Sequence, residues 1–155
     1  MPDPRRARQN PIVSKTVFTT PQEVEDAFYE AFARADLDAM MAVWSEDDEV
    51  MCVHPGAPRV VGLAAVRDSW QQLFSNGARL EISISHPVES TGTMIAIHSV
   101  LEHVQIKGDS DLHSPIVATN VFMRGPLGWR MVAHHASPTP EMSPHSDPNA
   151  PLIVH

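Results

Sequence analysis

Hydrophobic side chains in the first part of the chain recur with the spacing of an amphipathic helix. The apolar stripe consists of Val24, Ala27, Phe28, Ala31 and Phe32. A start signal precedes it: Thr20 is an N-cap residue, Pro21 suits the first helical position, and Glu23 closes a capping box. This pattern predicts a helix that begins after Thr20 and buries one face against a core.

Two further helices and a short strand follow in the pattern. Asp36 can cap a short helix with apolar positions at Leu37, Met40, Met41 and Trp44. A short apolar strand, Glu49–His54, ends at a Pro-rich loop that begins at Pro55. The spacing then predicts a third helix over Leu63–Phe74, ended by the Asn-Gly pair at 76–77.

The second half of the chain has the pattern of β-strands. Four segments separated by turn residues are predicted to form them: Arg79–His86, Thr93–Gln105, Leu112–Arg124 and Trp129–Ser137. We therefore predict an α+β fold in which three N-terminal helices lie on the concave face of a curved antiparallel sheet. Both faces of residues 93–105 are apolar, which predicts a second copy of the chain on the outer face.

The two ends of the chain differ from the middle because they are rich in proline. Nine of the 14 prolines lie in residues 1–21 and 138–155: Pro2, Pro4, Pro11, Pro21, Pro138, Pro140, Pro144, Pro148 and Pro151. We therefore divide the chain into an N-terminal arm (1–19), one domain (20–138) and a C-terminal tail (139–155). The apolar segment Leu152–Val154 predicts that the tail docks on its own subunit or on a partner.

Composition excludes several classes of protein. The net charge of −8 argues against a nucleic-acid partner, and no apolar run is long enough for a membrane span or a secretion signal, so a cytoplasmic location is expected. Cys52 has no partner for a disulfide. The nine histidines show no zinc-binding spacing, and no phosphate loop, serine nucleophile motif or dinucleotide fingerprint is present. We expect no cofactor and no metal.

Several segments together resemble the SnoaL-like branch of the nuclear transport factor 2-like superfamily, which includes the ketosteroid isomerases. The resemblance covers about residues 20–138 and is carried by segments 36–38, 41–44, 47–56, 62–70, 118–122 and 128–137. It implies a cone-shaped domain with a ligand pocket, and a homodimer formed through the outer face of the sheet. The superfamily contains isomerases, dehydratases and cyclases as well as non-catalytic modules, so activity has to be argued from the site.

Four polar residues are the candidates for chemistry. His54 ends a strand before a rigid loop and can act as a general base. By resemblance to the isomerases, it lies at or next to the position of a catalytic aspartate. Asn120 matches the protonated aspartate that donates to an oxyanion. Glu102 is a carboxylate among apolar neighbours, and His135 is placed by strand alternation in the pocket, where it would bond Glu102 or Asn120.

Strand alternation also predicts which side chains face away from the pocket. His134 is adjacent to His135 and must point to the opposite face. His98 has the same parity as Glu102, but it is predicted to lie at the surface because it would be beyond the pocket. The predicted pocket wall consists of Phe28, Tyr29, Trp44, Trp70 and Phe122. Tyr29 is one position away from the tyrosine of the isomerases, where this chain has Phe28, and this departure argues against steroid isomerase activity.

Three hypotheses about function result, of which the third is that the histidines act as a pH or metal sensor. In the first, the cone binds a small, largely apolar organic molecule and uses His54, His135, Asn120 and Glu102 for an isomerisation, cyclisation or dehydration without a cofactor. In the second, the domain is a non-catalytic ligand-binding or assembly module. A deep cavity with converging polar groups favours the first, whereas a filled core and an exposed apolar patch favour the second.

Overall fold

The computed structural model describes residues 16–76, 79–109 and 113–140. These residues form three helices and six strands in the order α1 Pro21–Arg34, α2 Leu37–Val43, β1 Met51–Val53, β2 Val60–Val61, α3 Leu63–Phe74, β3 Leu80–Thr91, β4 Ile95–Ile106, β5 Ile116–Gly125 and β6 Gly128–Pro138. No helix in these ranges is long and apolar enough to cross a membrane.

The predicted helix starts are confirmed by their capping contacts. The Thr20 hydroxyl accepts a hydrogen bond from the Glu23 amide at 3.2 Å, and the Asp36 carboxylate accepts one from the Ala39 amide at 3.0 Å. Ala35 ends α1 in the left-handed conformation and turns the chain directly into α2. Helices α1 and α2 begin where they were predicted because capping is a local interaction, whereas α3 begins after Gly62 without a side-chain cap.

The six strands form one curved, unclosed sheet in the order β2-β1-β6-β5-β4-β3. This arrangement confirms the α+β fold class with the helices on the concave face. The pairing of β1 with β6 is parallel, so the sheet is mixed rather than fully antiparallel. β2 was not predicted, and β3 continues through residues 89–91, where a turn was predicted.

Two irregularities in the sheet reverse which side chains face the helices. Between Ser85 and Val88 the pairing of β3 with β4 shifts, and His86 has a positive φ of 52°. In the pairing of β5 with β6, Val121 lies opposite Ala133 but Phe122 lies opposite Met131, so Val132 is an extra residue. Such β-bulges change the side-chain alternation of a strand, and both lie close to the residues described below.

The segment before α1 packs onto the β5–β6 hairpin. Phe18 is buried, and its carbonyl accepts a hydrogen bond from the Trp129 amide at 2.8 Å. A Cβ atom at Gly128 would lie 2.3 Å from that carbonyl oxygen, and Gly128 has a φ of +86°, so only glycine fits there. Residues 16–19 therefore contact the domain, while the rest of the arm and the predicted tail contact at Leu152–Val154 lie outside the described residues.

The sheet has an inner face covered by the helices and an outer face that they leave uncovered. The core fills the space between the inner face and the helices, with Phe28, Trp70, Phe122 and Met131 fully buried. On the outer face, large apolar side chains are 37–47% exposed: Ile95, Ile97, Val117 and Met123. The prediction of two apolar faces on β4 is only half right, because its inner face also carries charged and polar residues.

Candidate acid–base site on the inner face

Six polar side chains converge between helix α1 and the inner face of the sheet. We call them the inner network: Glu25, Tyr29, His98, Glu102, Asn120 and His134. Each of them is less than 10% exposed, and Asn120 is fully buried. Burying this many polar groups is costly unless they satisfy one another's hydrogen bonds, and these do so.

Helix and strand periodicity bring the members together. Glu25 and Tyr29 are four residues apart and lie on one face of α1. His98 and Glu102 are four residues apart and lie on the inner face of β4, where both are buried. Asn120 lies directly opposite His98 on one side and His134 on the other, so these three residues form a row across β4, β5 and β6.

Asn120 is the centre of the inner network and uses its amide on three partners. Its Nδ2 donates to Glu25 Oε2 at 3.1 Å and to the Tyr29 hydroxyl at 3.0 Å. His134 Nδ1 lies 2.6 Å from Asn120 Oδ1. Since an amide oxygen only accepts, His134 donates this bond from Nδ1, and burial lowers the pKa of His134 to about 3. His134 is therefore a neutral donor that holds Asn120 in place.

The Tyr29 hydroxyl connects Asn120 to Glu102. It accepts from Asn120 and donates to Glu102 Oε2 at 2.6 Å, the length of a strong hydrogen bond to a carboxylate. Burial raises the pKa of Glu102 to about 7; the charge of Glu25 adds to this shift, and the Tyr29 hydrogen bond opposes it. Burial also raises the pKa of Tyr29. Near neutral pH, Glu102 can therefore either take or give a proton.

Glu25 and His98 form the other end of the inner network. His98 Nδ1 lies 3.0 Å from Glu25 Oε2, the oxygen that also accepts from Asn120. Burial raises the pKa of Glu25, while its bonds to Asn120 and His98 oppose the shift. The His98 ring packs against Phe122, with ring centroids 5.0 Å apart. The prediction that His98 lies at the surface was wrong, because β4 and β5 place it on the inner face.

The predicted orientations of His134 and His135 were also wrong. His134 is buried in the inner network, whereas His135 is exposed on the outer face. The cause is the bulge at Val132. Trp129 and Met131 face inward before it, and His134 and Ala136 face inward after it, so simple alternation along β6 fails. The predicted bond from His135 to Glu102 or Asn120 is therefore replaced by the bond from His134 to Asn120.

His54 lies beside the inner network rather than within it. It is half-buried, its Nε2 lies 3.1 Å from the Ser69 hydroxyl, and its ring packs edge-on against Trp70 at 4.6 Å. Burial lowers the pKa of His54. Cys52 lies nearby, and burial raises the pKa of its thiol to about 12, so it is a poor nucleophile.

The predicted wall residues surround the inner network, and four rings close the gap between α1 and α3. We call these rings the aromatic plug: Phe28, Phe32, Trp70 and Phe74. Phe32 contacts Trp70 with centroids 5.0 Å apart and Phe74 with centroids 6.4 Å apart, and both phenylalanines are only half-buried. Trp44 is buried elsewhere in the core, Phe122 packs against His98 of the inner network, and Tyr29 belongs to the inner network itself.

Two buried indole nitrogens lack a hydrogen-bond partner. Nε1 of Trp70, in the aromatic plug, and Nε1 of Trp44 have none among the residues that the structure describes. A buried donor without a partner costs about 1–3 kcal/mol. The Trp70 nitrogen is therefore available to a ligand that reaches the plug.

The largest cavity described lies away from the inner network. Its volume is about 620 Å³, and it is lined by residues of the α2–β1 connection and the β5–β6 hairpin, among them Trp44, Leu127 and Arg130. A second cavity of about 280 Å³ is lined by residues 81–83 of β3 and residues 103–105 of β4, beside His103. Neither of these two cavities is lined by a member of the inner network. A deep cavity at the polar groups was expected for an enzyme, so this arrangement and the exposed apolar outer face favour the non-catalytic alternative, and an enzyme would need the aromatic plug to open.

Glu25 was missed by the sequence reasoning, although a signal for it exists. It lies three residues before Phe28 and four before Tyr29, so helical spacing puts a carboxylate on the buried stripe of α1. A charged residue at such a position needs a buried partner, which could have been sought among the polar strand residues.

Solved structures with the same fold support the architecture. A protein of Thiobacillus denitrificans, described as a candidate calcium/calmodulin-dependent protein kinase type II association domain, is 44% identical, with a TM-score of 0.73 over 80% of this chain and 98% of that chain. A candidate dehydratase of the NTF2-like family from Streptomyces avermitilis is 30% identical, with a TM-score of 0.70 over 77% and 94% of the two chains.

Comparisons of the sequence identify a curated relative and a protein family. The F-box protein SKIP8 of Arabidopsis thaliana is 26% identical over 114 residues, which are 74% of this chain and 47% of that protein, so the match spans about half of its length. The sequence profile of the SnoaL-like domain matches residues 22–141. With this match over most of its length and the fold described above, the chain belongs to the SnoaL-like domain family, within the NTF2-like superfamily.

Proposed function

We propose that this domain binds a small, largely apolar organic molecule with a carbonyl oxygen and moves a proton on it without a cofactor, as an isomerase, cyclase or dehydratase does. The observation that carries the proposal is the 2.6 Å contact between the Tyr29 hydroxyl and Glu102, inside an apolar shell. Titratable groups whose pKa values are shifted by burial and a specific partner are typical of functional sites.

A ligand would reach the inner network through the gap between α1 and α3 that the aromatic plug now closes. Phe32 and Phe74 are half-buried and close the gap between α1 and α3 by ring contacts. An apolar ligand can replace these rings at little cost, because it restores the same kind of contact. The unpartnered indole N–H of Trp70 would then donate to the ligand's oxygen.

The roles of the residues follow from their hydrogen bonds. When the ligand's carbonyl oxygen accepts the bond from Tyr29, the Glu102 carboxylate is free to remove a proton from the neighbouring carbon. Tyr29 stabilises the resulting enolate oxygen, and Asn120 holds the Tyr29 hydroxyl from the other side. Glu102 then returns the proton to the same or another carbon. His54 and His135, proposed from the sequence as bases, have no place in this step.

Exchange of ketone α-protons tests this proposal directly. The probe is 2-tetralone, an apolar aromatic ketone, incubated with the purified chain in D2O and followed by proton NMR. We expect the protein to accelerate exchange and Glu102→Gln to reduce this acceleration by about 100-fold or more. Thr119→Val, on the outer face beside Asn120, is the matched control and retains the activity. Exchange at the buffer rate with the wild-type protein would contradict the proposal.

A second candidate function, self-association, has its own supporting observation. The outer face exposes Ile95, Ile97 and Met123 close together on β4 and β5, and Val117 further along β5. Contiguous exposed apolar side chains mark interaction surfaces. The 44% identical relative is itself described as an association domain. We therefore propose a homodimer through the outer face, and light scattering of the full chain at micromolar concentration tests it. A monomer would contradict it.

A further inference from the structure

A second group of ligand atoms lies at the edge of the inner network. Glu25, Glu89 and His98 each offer one atom, and the three atoms lie within 4.8 Å of one another. His98 Nδ1 is 3.0 Å from Glu25 Oε2 and 3.9 Å from Glu89 Oε1. We propose that these three side chains bind a divalent transition-metal ion such as Zn²⁺.

The distances suit a metal ion of this size. Imidazole nitrogen and carboxylate oxygen bind Zn²⁺ at about 2.0–2.2 Å, so two ligands at a tetrahedral angle lie about 3.3–3.6 Å apart. The two distances from His98 Nδ1 lie on either side of this range. The third pair, Glu25 and Glu89, lies within 4.8 Å, so the two carboxylates must approach each other by about 1 Å to bind one ion, with a fourth position left for water.

The backbone of β3 places Glu89 at this site. Without the irregularity between Ser85 and Val88, alternation from the inward-facing Ile82 and Ile84 would turn Glu89 to the outer face. The bulge reverses the alternation, so Glu89 lies directly opposite His98. The left-handed His86 in this bulge is a strained conformation for a residue other than glycine. Bulges that re-aim a side chain are frequent beside functional sites.

The charges also favour a cation. Two carboxylates flank one imidazole, which carries at most one positive charge, and the buried Glu25 has no Lys or Arg partner among the ion pairs of the described residues. A divalent ion balances both carboxylates. Two carboxylates and one imidazole are typical ligands of zinc and other first-row ions.

The surroundings support the site as well. Asn120 donates to Glu25 Oε2, and His134 in turn holds Asn120, so the ligating carboxylate is oriented by a hydrogen-bonded outer layer. Glu89 is 42% exposed on its side chain, which gives an ion access from solvent. Neither Tyr29 nor Glu102 is a ligand of this site, and Asn120, which donates to both Glu25 and Tyr29, links it to the proposed proton transfer.

Metal titration of the full chain, purified without a histidine tag and treated with a chelator, tests the proposal. Zn²⁺ is titrated by calorimetry and by competition with a chromophoric chelator, with the wild-type protein and two variants. Glu89→Gln removes one ligand at a partly exposed position, and Glu81→Gln removes an exposed carboxylate from the same strand as a matched control.

We expect one high-affinity Zn²⁺ per chain in the wild type and in Glu81→Gln, and at least tenfold weaker binding in Glu89→Gln. Thermal unfolding without metal checks that Glu89→Gln is folded, and added Zn²⁺ should raise Tm in the wild type more than in this variant. Fewer than one ion per chain in the wild type, or equal affinity in Glu89→Gln, would overturn the assignment.

Discussion

At several positions of strands β4 and β5 the inner and outer faces invert the pattern of most sheets, although the inner face also carries apolar core residues such as Ala118 and Phe122. His98, Glu102 and Asn120 face the helices and are at most 2% exposed. Ile97 and Met123, on the other face, are each 44% exposed. An antiparallel sheet with one wet face normally places its apolar side chains inward and its polar side chains outward.

This inversion has a cost on both faces. Polar groups on the inner face lose their hydrogen bonds to water and replace them only by hydrogen bonds to one another. Apolar groups on the outer face forgo about 25 cal/mol of burial free energy for each Å² left in water. Neither arrangement maximises the stability of an isolated chain. The difference favours a chemical role for the inner face and a covering partner for the outer face.

The largest expected effect comes from removing the centre of the inner network. Asn120→Leu keeps the volume but leaves His134 without its described hydrogen-bond partner and removes one hydrogen bond each from Glu25 and Tyr29, so we expect a loss of about 4 kcal/mol in the free energy of unfolding. Urea denaturation measures it. The neighbouring Thr119→Val, on the outer face, should change stability by less than about 0.5 kcal/mol. Similar losses in both variants would remove the contrast between the faces.

A pH series sharpens the comparison at Glu102. Its pKa of about 7 in the folded chain lies above the ordinary 4.5, so its contribution to stability is complete below the ordinary value and is lost as pH rises through 7. Between pH 5 and pH 8, the wild type should lose about 2 kcal/mol relative to Glu102→Gln.

This difference isolates Glu102, because Glu25 and His134 titrate in both proteins. Urea denaturation of the two proteins at four pH values provides the measurement. A difference that stays constant from pH 5 to pH 8 would show that Glu102 is an ordinary ionised carboxylate.

On the outer face, a charge at Ile97 should weaken the proposed dimer. Ile97→Lys places an ammonium group in the apolar surface. We expect the dissociation constant of the dimer to rise at least tenfold, which corresponds to about 1.4 kcal/mol. Analytical ultracentrifugation measures the dissociation constant. Leu127→Lys, at the equally exposed β5–β6 turn, serves as the control. Equal dissociation constants for Ile97→Lys and the wild type would place the interface elsewhere.

The smallest effect separates two adjacent histidines. His135 is exposed on the outer face, so His135→Gln should change the free energy of unfolding by less than about 0.5 kcal/mol. His134→Gln, within the inner network, should cost more, because its bond to Asn120 is buried. Thermal unfolding of the two variants measures which of them loses more stability. The reverse order would restore the orientations predicted from simple alternation.

The helices and the fold class could be predicted because their signals are local. The caps at Thr20 and Asp36 each act within three residues, and the apolar stripe of α1 repeats within two turns. Strand alternation was equally informative where the strands are regular, so Glu102 and Asn120 were placed correctly on the inner face. The catalytic roles predicted for His54, Asn120, Glu102 and His135 stay predictions, and the geometry now favours Glu102 with Tyr29.

The orientations of two other residues and the burial of a third could not be predicted in the same way. His134 faces inward because of the bulge at Val132, and Glu89 faces His98 because of the bulge after Ser85. A bulge is decided by the pairing of two strands and by what packs on them. His98 has the same parity as Glu102, so alternation placed it on the inner face; what the sequence could not predict was that β5 and α1 reach this position and bury it.

The sequence by itself determined the three helices, where they start and most of the strands, though not β2, and it indicated that polar residues would be buried among apolar ones. Only the tertiary structure decided which polar residues meet. Asn120 bonds Glu25 across 95 positions and His134 across 14, and these contacts depend on strand register and on the packing of α1. Local propensities act over a few residues, whereas register is chosen by the whole core, so the elements were predictable and the inner network was not.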